Sequence, residues 1–115
     1  MAQNWIAFSS RAAAGAAALF LVYGADALAA GKGTTYTVTM SQMRYGPLPS
    51  NLKVGDTIVW VNKDTVPHTV TAKDRKFDVR IASGKRASQT LTTAGNFPFY
   101  CVYHPAMRGT LKVGS

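Results

Sequence analysis

Glutamate is missing from this chain, acidic residues number five against 13 lysines and arginines, and there are only one cysteine and two histidines among 115 residues. A lone cysteine excludes the internal disulfide framework that small exported domains usually carry. So few carboxylates leave little material for acid–base catalysis. No stretch has a convincing helical period, and there is no sequence repeat, low-complexity linker or second domain. The chain reads as one small unit in which function must rest on very few groups.

The first 29 residues have the pattern of an export signal. Arg11 supplies the positive flank, Ala12 to Val22 is a short uncharged apolar run, and Ala27-Leu28-Ala29 fits the small-residue cleavage rule. A spanning helix needs about 20 apolar residues, whereas Gly24 and Asp26 interrupt this run early. The expectation is therefore a signal peptide over 1–29 and a single domain over 30–115, delivered to the periplasm with no membrane span. Losing one base (Arg11) and one acid (Asp26) leaves the formal charge at +8. Such a surface attracts acidic partners and does so less at high salt. Export and the lack of any nucleic-acid motif argue against nucleic acid as the partner.

Short β-type runs separated by turn residues fill the rest. Tyr36, Val38 and Met40 alternate with threonines, as in a half-buried strand. Gly46-Pro47-Leu48-Pro49 breaks the chain, Leu52 and Val54 mark a brief strand, and Thr57 to Val61 is apolar on both faces, which predicts a central strand around Trp60. His68, Val70 and Ala72 share one face by period two. Phe77, Val79 and Ile81 alternate next, then comes a Thr-rich run over Gln89 to Leu91. Phe97, Phe99 and Cys101 point to one side, and Leu111 and Val113 close the chain. Seven to eight short strands predict an all-β Greek-key sandwich.

The informative stretch is Cys101-Val-Tyr-His-Pro-Ala-Met107, which gathers a thiolate, an imidazole and a thioether. The other histidine, His68, lies far upstream in Val66-Pro-His-Thr-Val-Thr71. Two His, one Cys and a weak Met form the donor set that suits copper in an electron-transfer site. Cys and two His would also fill three positions around zinc, but zinc has little use for Met107. The few aspartates, Asp56, Asp64, Asp74 and Asp78, lie outside the ligand segments, so a catalytic zinc lacks a base there. A two-copper centre would need a second cysteine and a multicopper oxidase many more histidines, so no enzyme is expected.

Met43-Arg-Tyr45, Val54-Gly-Asp-Thr-Ile-Val-Trp-Val-Asn62, Pro67-His68 and Cys101-Val-Tyr-His-Pro-Ala-Met-Arg-Gly109 together resemble the cupredoxins, the type 1 blue-copper proteins, over nearly the whole of 30–115. The short Cys-x-x-His-x-x-Met spacing with proline directly after histidine matches the short-loop members of that family. The resemblance implies that His68, Cys101 and His104 are equatorial copper ligands, that Met107 is the axial one, and that copper cycles between Cu(I) and Cu(II). It also implies a monomer that carries single electrons between redox proteins, with a dehydrogenase donor and a cytochrome acceptor. His104 would reach solvent inside an apolar patch of Val66, Pro67, Pro105 and Ala106, with Arg108, Lys63 and Lys73 as a basic rim. An exported copper-delivery protein is the competing reading, and the chain's few methionines disfavour it.

Two positions depart from the family pattern. The residues after the first histidine and after the cysteine, commonly Asn and a hydroxyl residue joined by a hydrogen bond, are Thr69 and Val102. Without a hydroxyl on Val102 the usual side-chain tie cannot form, so the rigidity around the ligands and the reduction potential need not follow the family's. Pro98 removes a backbone donor from a strand expected to be central. A local irregularity, or a nitrogen facing no partner, is expected there.

Overall fold

A computed structural model describes residues 33–115. The expected leader, its cleavage after Ala29 and the first residues of the expected domain lie outside the described residues. Among the described residues no helix is long and apolar enough to cross a membrane.

Nine strands follow in chain order: β1 (Thr35–Ser41), β2 (Arg44–Tyr45), β3 (Leu52–Lys53), β4 (Thr57–Asn62), β5 (His68–Ala72), β6 (Asp78–Ile81), β7 (Arg86–Thr90), β8 (Gly95–Tyr100) and β9 (Arg108–Gly114). One sheet has the order β2-β1-β4-β7 and the other β3-β9-β8-β5-β6. The chain passes between sheets after β2, β3, β4, β6 and β7, so both sheets mix distant segments, as a Greek-key sandwich does. Two of the pairings, β1 with β4 and β3 with β9, are parallel.

The strand beyond the seven to eight expected is β2. It pairs with β1 through a two-residue turn in which Gln42 and Met43 both have positive φ, 55° and 60°. A turn of that hand normally uses Asn or Gly, so its sequence carries no hairpin signal. The Asp64 carboxylate supplies the missing preference by accepting from Gln42 N at 2.8 Å and Met43 N at 3.0 Å.

Alternating burial places Val38, Met40, Ile58 and Trp60 of one sheet against Val70, Phe97, Phe99 and Leu111 of the other. Tyr45, Trp60 and Phe99 meet edge to face, with centroids 4.8 to 5.9 Å apart, the arrangement that aromatic quadrupoles favour. The Trp60 indole N–H donates to Gln89 Oε1 at 3.0 Å inside the core. Burial pushes the Tyr45 hydroxyl well above its usual range, as does the nearby Cys101 to a lesser degree, so it stays protonated and donates to the Thr69 carbonyl.

Burial revises the strand assignments in two places. β4 is interior to its sheet, but only Ile58, Trp60 and Asn62 are buried; Val59 and Val61 stay half-buried on the outer face. β5 is instead the strand buried on both faces, Thr69 and Thr71 included. Pro98 behaves as expected of a proline in a central strand. Its carbonyl accepts from Lys73 N at 2.9 Å, yet it has no N–H to return the bond that opposed antiparallel residues exchange. The β5–β8 ladder accordingly ends at Ala72 and Phe99.

Phe99 is fully buried, contacts two other rings and sits under Gly109, where an added Cβ would fall 2.8 Å from its Cζ. Phe99→Ala should therefore cost about 3–5 kcal/mol, measured by urea unfolding of the metal-free protein followed through Trp60 fluorescence.

Candidate metal centre

The sheet order sets β5 beside β8, which brings His68 at the start of one strand to Cys101 just past the end of the other. Cys101 Sγ lies 3.8 Å from His68 Nδ1 and 3.7 Å from His104 Nδ1. Among the described residues these are the groups that could together hold a metal ion, with all three donor atoms within 4.8 Å of one another. Cys101 and His68 are fully buried and His104 half-buried. A first-row metal bound at about 2.3 Å from sulfur and 2.0–2.1 Å from imidazole nitrogen, with trigonal angles, would hold sulfur and nitrogen about 3.8 Å apart. The observed separations match that figure, so the spacing of both histidines from the cysteine fits a shared metal ion.

The tautomer of His68 follows from its other nitrogen. Nε2 lies 2.7 Å from Asp64 Oδ2, and an ionised carboxylate can only accept. Nε2 therefore carries the proton, and the Nδ1 lone pair faces the sulfur. The bond to His68, then those from Met43 and Gln42, hold the Asp64 carboxyl below the usual carboxylate range. Asn62 pins the loop that carries Asp64. Its Oδ1 accepts from Asp64 N at 2.9 Å, and its Nδ2 donates to the carbonyls of Val66, Ile81 and Ala82.

The segment Cys101–Met107 is closed by its own backbone. His104 N donates to Cys101 O at 3.2 Å, Met107 N to His104 O at 2.8 Å, and Cys101 N to Met107 O at 3.0 Å. Cysteine, histidine and methionine are thus linked pairwise, and Met107 is buried at the same end of the core.

The two ligand segments are also tied to each other, although not by the family's usual side-chain pair. Thr69 N lies 3.4 Å from Cys101 Sγ, and Val102 N donates to Thr69 Oγ1 at 3.0 Å. The backbone of Val102 supplies the donor that its side chain lacks, so the two segments are tied at Thr69 and Val102 without the usual hydroxyl. Sequence reasoning missed Asp64, Asn62, Thr69 as a tie, and Tyr45. Each acts through a loop or a cross-sheet contact that leaves no periodic trace.

Around His104 the surface is apolar: Pro67, Val102, Tyr103, Pro105 and Ala106 are exposed and Val66 half-buried. Arg80, outside the expected rim, donates from its guanidinium to the Tyr103 hydroxyl at 3.0 Å.

Residues 11–113 match the family model described as the cupredoxin-like domain. The chain belongs to that family, the cupredoxins. Within it, the chain is 31% identical over 113 residues to amicyanin-alpha of Methylorubrum extorquens, covering 93% of this chain and 90% of that protein. It is 32% identical over 82 residues to the amicyanin of Paracoccus denitrificans, and that match takes in 63% of the relative's length. Among solved structures, the crystal structure of Paracoccus versutus amicyanin is 26% identical with a TM-score of 0.59, over 69% of this chain and 80% of that one. The Cu(I) form of an amicyanin variant is 30% identical with a TM-score of 0.60, over 74% and 87%.

Because the folded-state pKa of Asp64 is depressed, its stabilising bonds are complete above the unfolded value near 3.9 and disappear as pH falls through the folded value. At neutral pH the metal-free wild type should hold a stability margin over Asp64→Ala. It should shrink below about pH 4, as read by denaturant unfolding from neutral pH downward.

Proposed function

We propose that this protein is a periplasmic, monomeric blue-copper electron carrier that shuttles single electrons between redox proteins and is not an enzyme. In this reading His68 Nδ1, Cys101 Sγ and His104 Nδ1 would hold copper, with the thioether of buried Met107 as a further, weak ligand. The observation that carries it is the convergence of His68 from β5 with Cys101 and His104 from the loop that ends in buried Met107, at sulfur–nitrogen spacings of 3.8 and 3.7 Å that suit a shared metal ion. The copper ion of the amicyanin structure in its Cu(I) form supports the same choice of metal. The export pattern of residues 1–29 supports the compartment, with residues 30–115 as the working domain.

Copper would supply the one-electron couple between Cu(I) and Cu(II). The protein's own residues supply what such a couple needs. Asp64 orients the His68 ring, Thr69 N donates toward the sulfur, and the closed backbone of Cys101–Met107 resists rearrangement. Burial of Cys101 and His68 excludes water. His104, half-buried among exposed Pro67, Tyr103, Pro105 and Ala106, is the route by which electrons enter and leave.

Charge selects the partner. All four aspartates of the described residues accept hydrogen bonds from backbone, hydroxyl or imidazole groups. Among the described residues none lies within ion-pair distance of a lysine or arginine. The cationic surface is therefore uncompensated, and Arg80, Arg108 and Lys63 are exposed toward an acidic partner. A dehydrogenase donor and a cytochrome acceptor with acidic docking faces fit this role, meeting the protein in small transient contacts. Their encounter rate should fall several-fold between low salt and about 0.15 M ionic strength, where the screening length is about 8 Å, as stopped-flow electron transfer would record.

The decisive experiment adds Cu(II) to the full chain and records visible and electron paramagnetic resonance spectra. An intense blue thiolate-to-copper band with narrow parallel hyperfine splitting is expected, and Cys101→Ser should abolish it. An ordinary tetragonal copper signal with weak absorption would sink the carrier reading and leave copper delivery as the alternative.

A further inference from the structure

Asp78 lies on β6, opposite Thr71 in the register with β5, and belongs to none of the segments that carry the candidate ligands. Its side chain is nevertheless the end of a hydrogen-bonded series that runs back to the metal centre. Thr71 Oγ1 donates to Asp78 Oδ1 at 2.7 Å, Thr69 and Thr71 Oγ1 are 2.9 Å apart, and Val102 N donates to Thr69 Oγ1 at 3.0 Å. Both threonines are fully buried, whereas Asp78 is exposed.

The direction of this series is determined by its ends. A carboxylate only accepts and a backbone N–H only donates, and each hydroxyl has a single proton. Thr71 must therefore give its proton to Asp78, Thr69 must give its own to Thr71, and the Thr69 oxygen is left to accept from Val102. Neither hydroxyl can turn the other way without leaving a buried donor unpaired, which is costly. An anion at one end also polarises each link in turn.

We propose that Asp78 is a positioning residue for the Cys101 loop, acting through Thr71 and Thr69 on the Val102 amide. Its charge orders the two buried hydroxyls and thereby holds the backbone immediately after Cys101. The electrochemical consequence rests on the copper-carrier reading: removing this negative charge disfavours the oxidised, more positive centre, so the reduction potential rises. The positioning itself needs no metal.

The test measures amide hydrogen exchange in the metal-free full chain, and the reduction potential of the copper-loaded protein, for wild type, Asp78→Ala, Thr71→Val and Thr71→Ser. Losing one hydrogen bond should speed Val102 exchange by roughly 5–30-fold in Asp78→Ala and Thr71→Val, with Thr71→Ser restoring protection. The potential of Asp78→Ala should lie above that of wild type. Should Thr71→Val not fold, the exposed Asp78→Ala decides alone. Val102 exchange within about twofold of wild type, or acceleration shared equally by all amides of β5, β6 and β8, overturns the proposal. An unchanged potential overturns the electrochemical consequence. If wild type itself gives no blue band, the carrier reading fails, and the metal-free exchange still decides whether Asp78 positions the loop.

Discussion

Everything at the metal-centre end depends on β5, a strand buried on both faces that nevertheless carries His68, Thr69 and Thr71. Polar side chains in a water-free interior are tolerated only when partnered, so each of the three is committed to a particular neighbour. His68 gives its Nε2 proton to Asp64, Thr69 accepts from Val102, and Thr71 donates to Asp78. Those obligations draw in the β4–β5 loop, the segment after Cys101 and strand β6. A fully apolar β5 would bury as well, but it would leave these segments free to move relative to one another.

The same economy explains how a small domain provides a stiff site. Asp64 satisfies the amides of two left-handed residues in the β1–β2 turn and orients the His68 ring with the same carboxylate. Asn62 shares its two amide protons among three carbonyls and accepts from the Asp64 amide. Cys101–Met107 closes on itself through three backbone bonds. A centre supported in this way changes charge with little motion of its surroundings, the property an electron carrier requires.

Using every described aspartate inside the fold has a second effect at the surface. The lysines and arginines are left without carboxylate partners among the described residues, so the positive field is not cancelled locally. Beside it, half-buried His104 sits among exposed apolar residues. In the proposed carrier role, a charged surround would steer approach and an apolar centre would make the contact.

The sequence by itself determined the fold class and named the candidate donors, three of which the fold brings together. Period-two alternation around Val38, Phe97 and Leu111 reports strands because successive side chains point to opposite faces. Cys101, His104 and Met107 are legible because one short loop carries all three, and His68 because it is the only other histidine. The tertiary structure decided the rest, since it depends on neighbours distant in the chain. β2 forms because Asp64 reaches its turn, although Gln42-Met43 is poor hairpin sequence. Period two put His68, Val70 and Ala72 on one face but said nothing of what Thr69 and Thr71 meet on the other, and only the packing of β5 between β6 and β8 showed them buried and bonded. Val102 looked like a lost tie because side-chain identity says nothing of a backbone N–H, whose partner is set by where two strands come to lie.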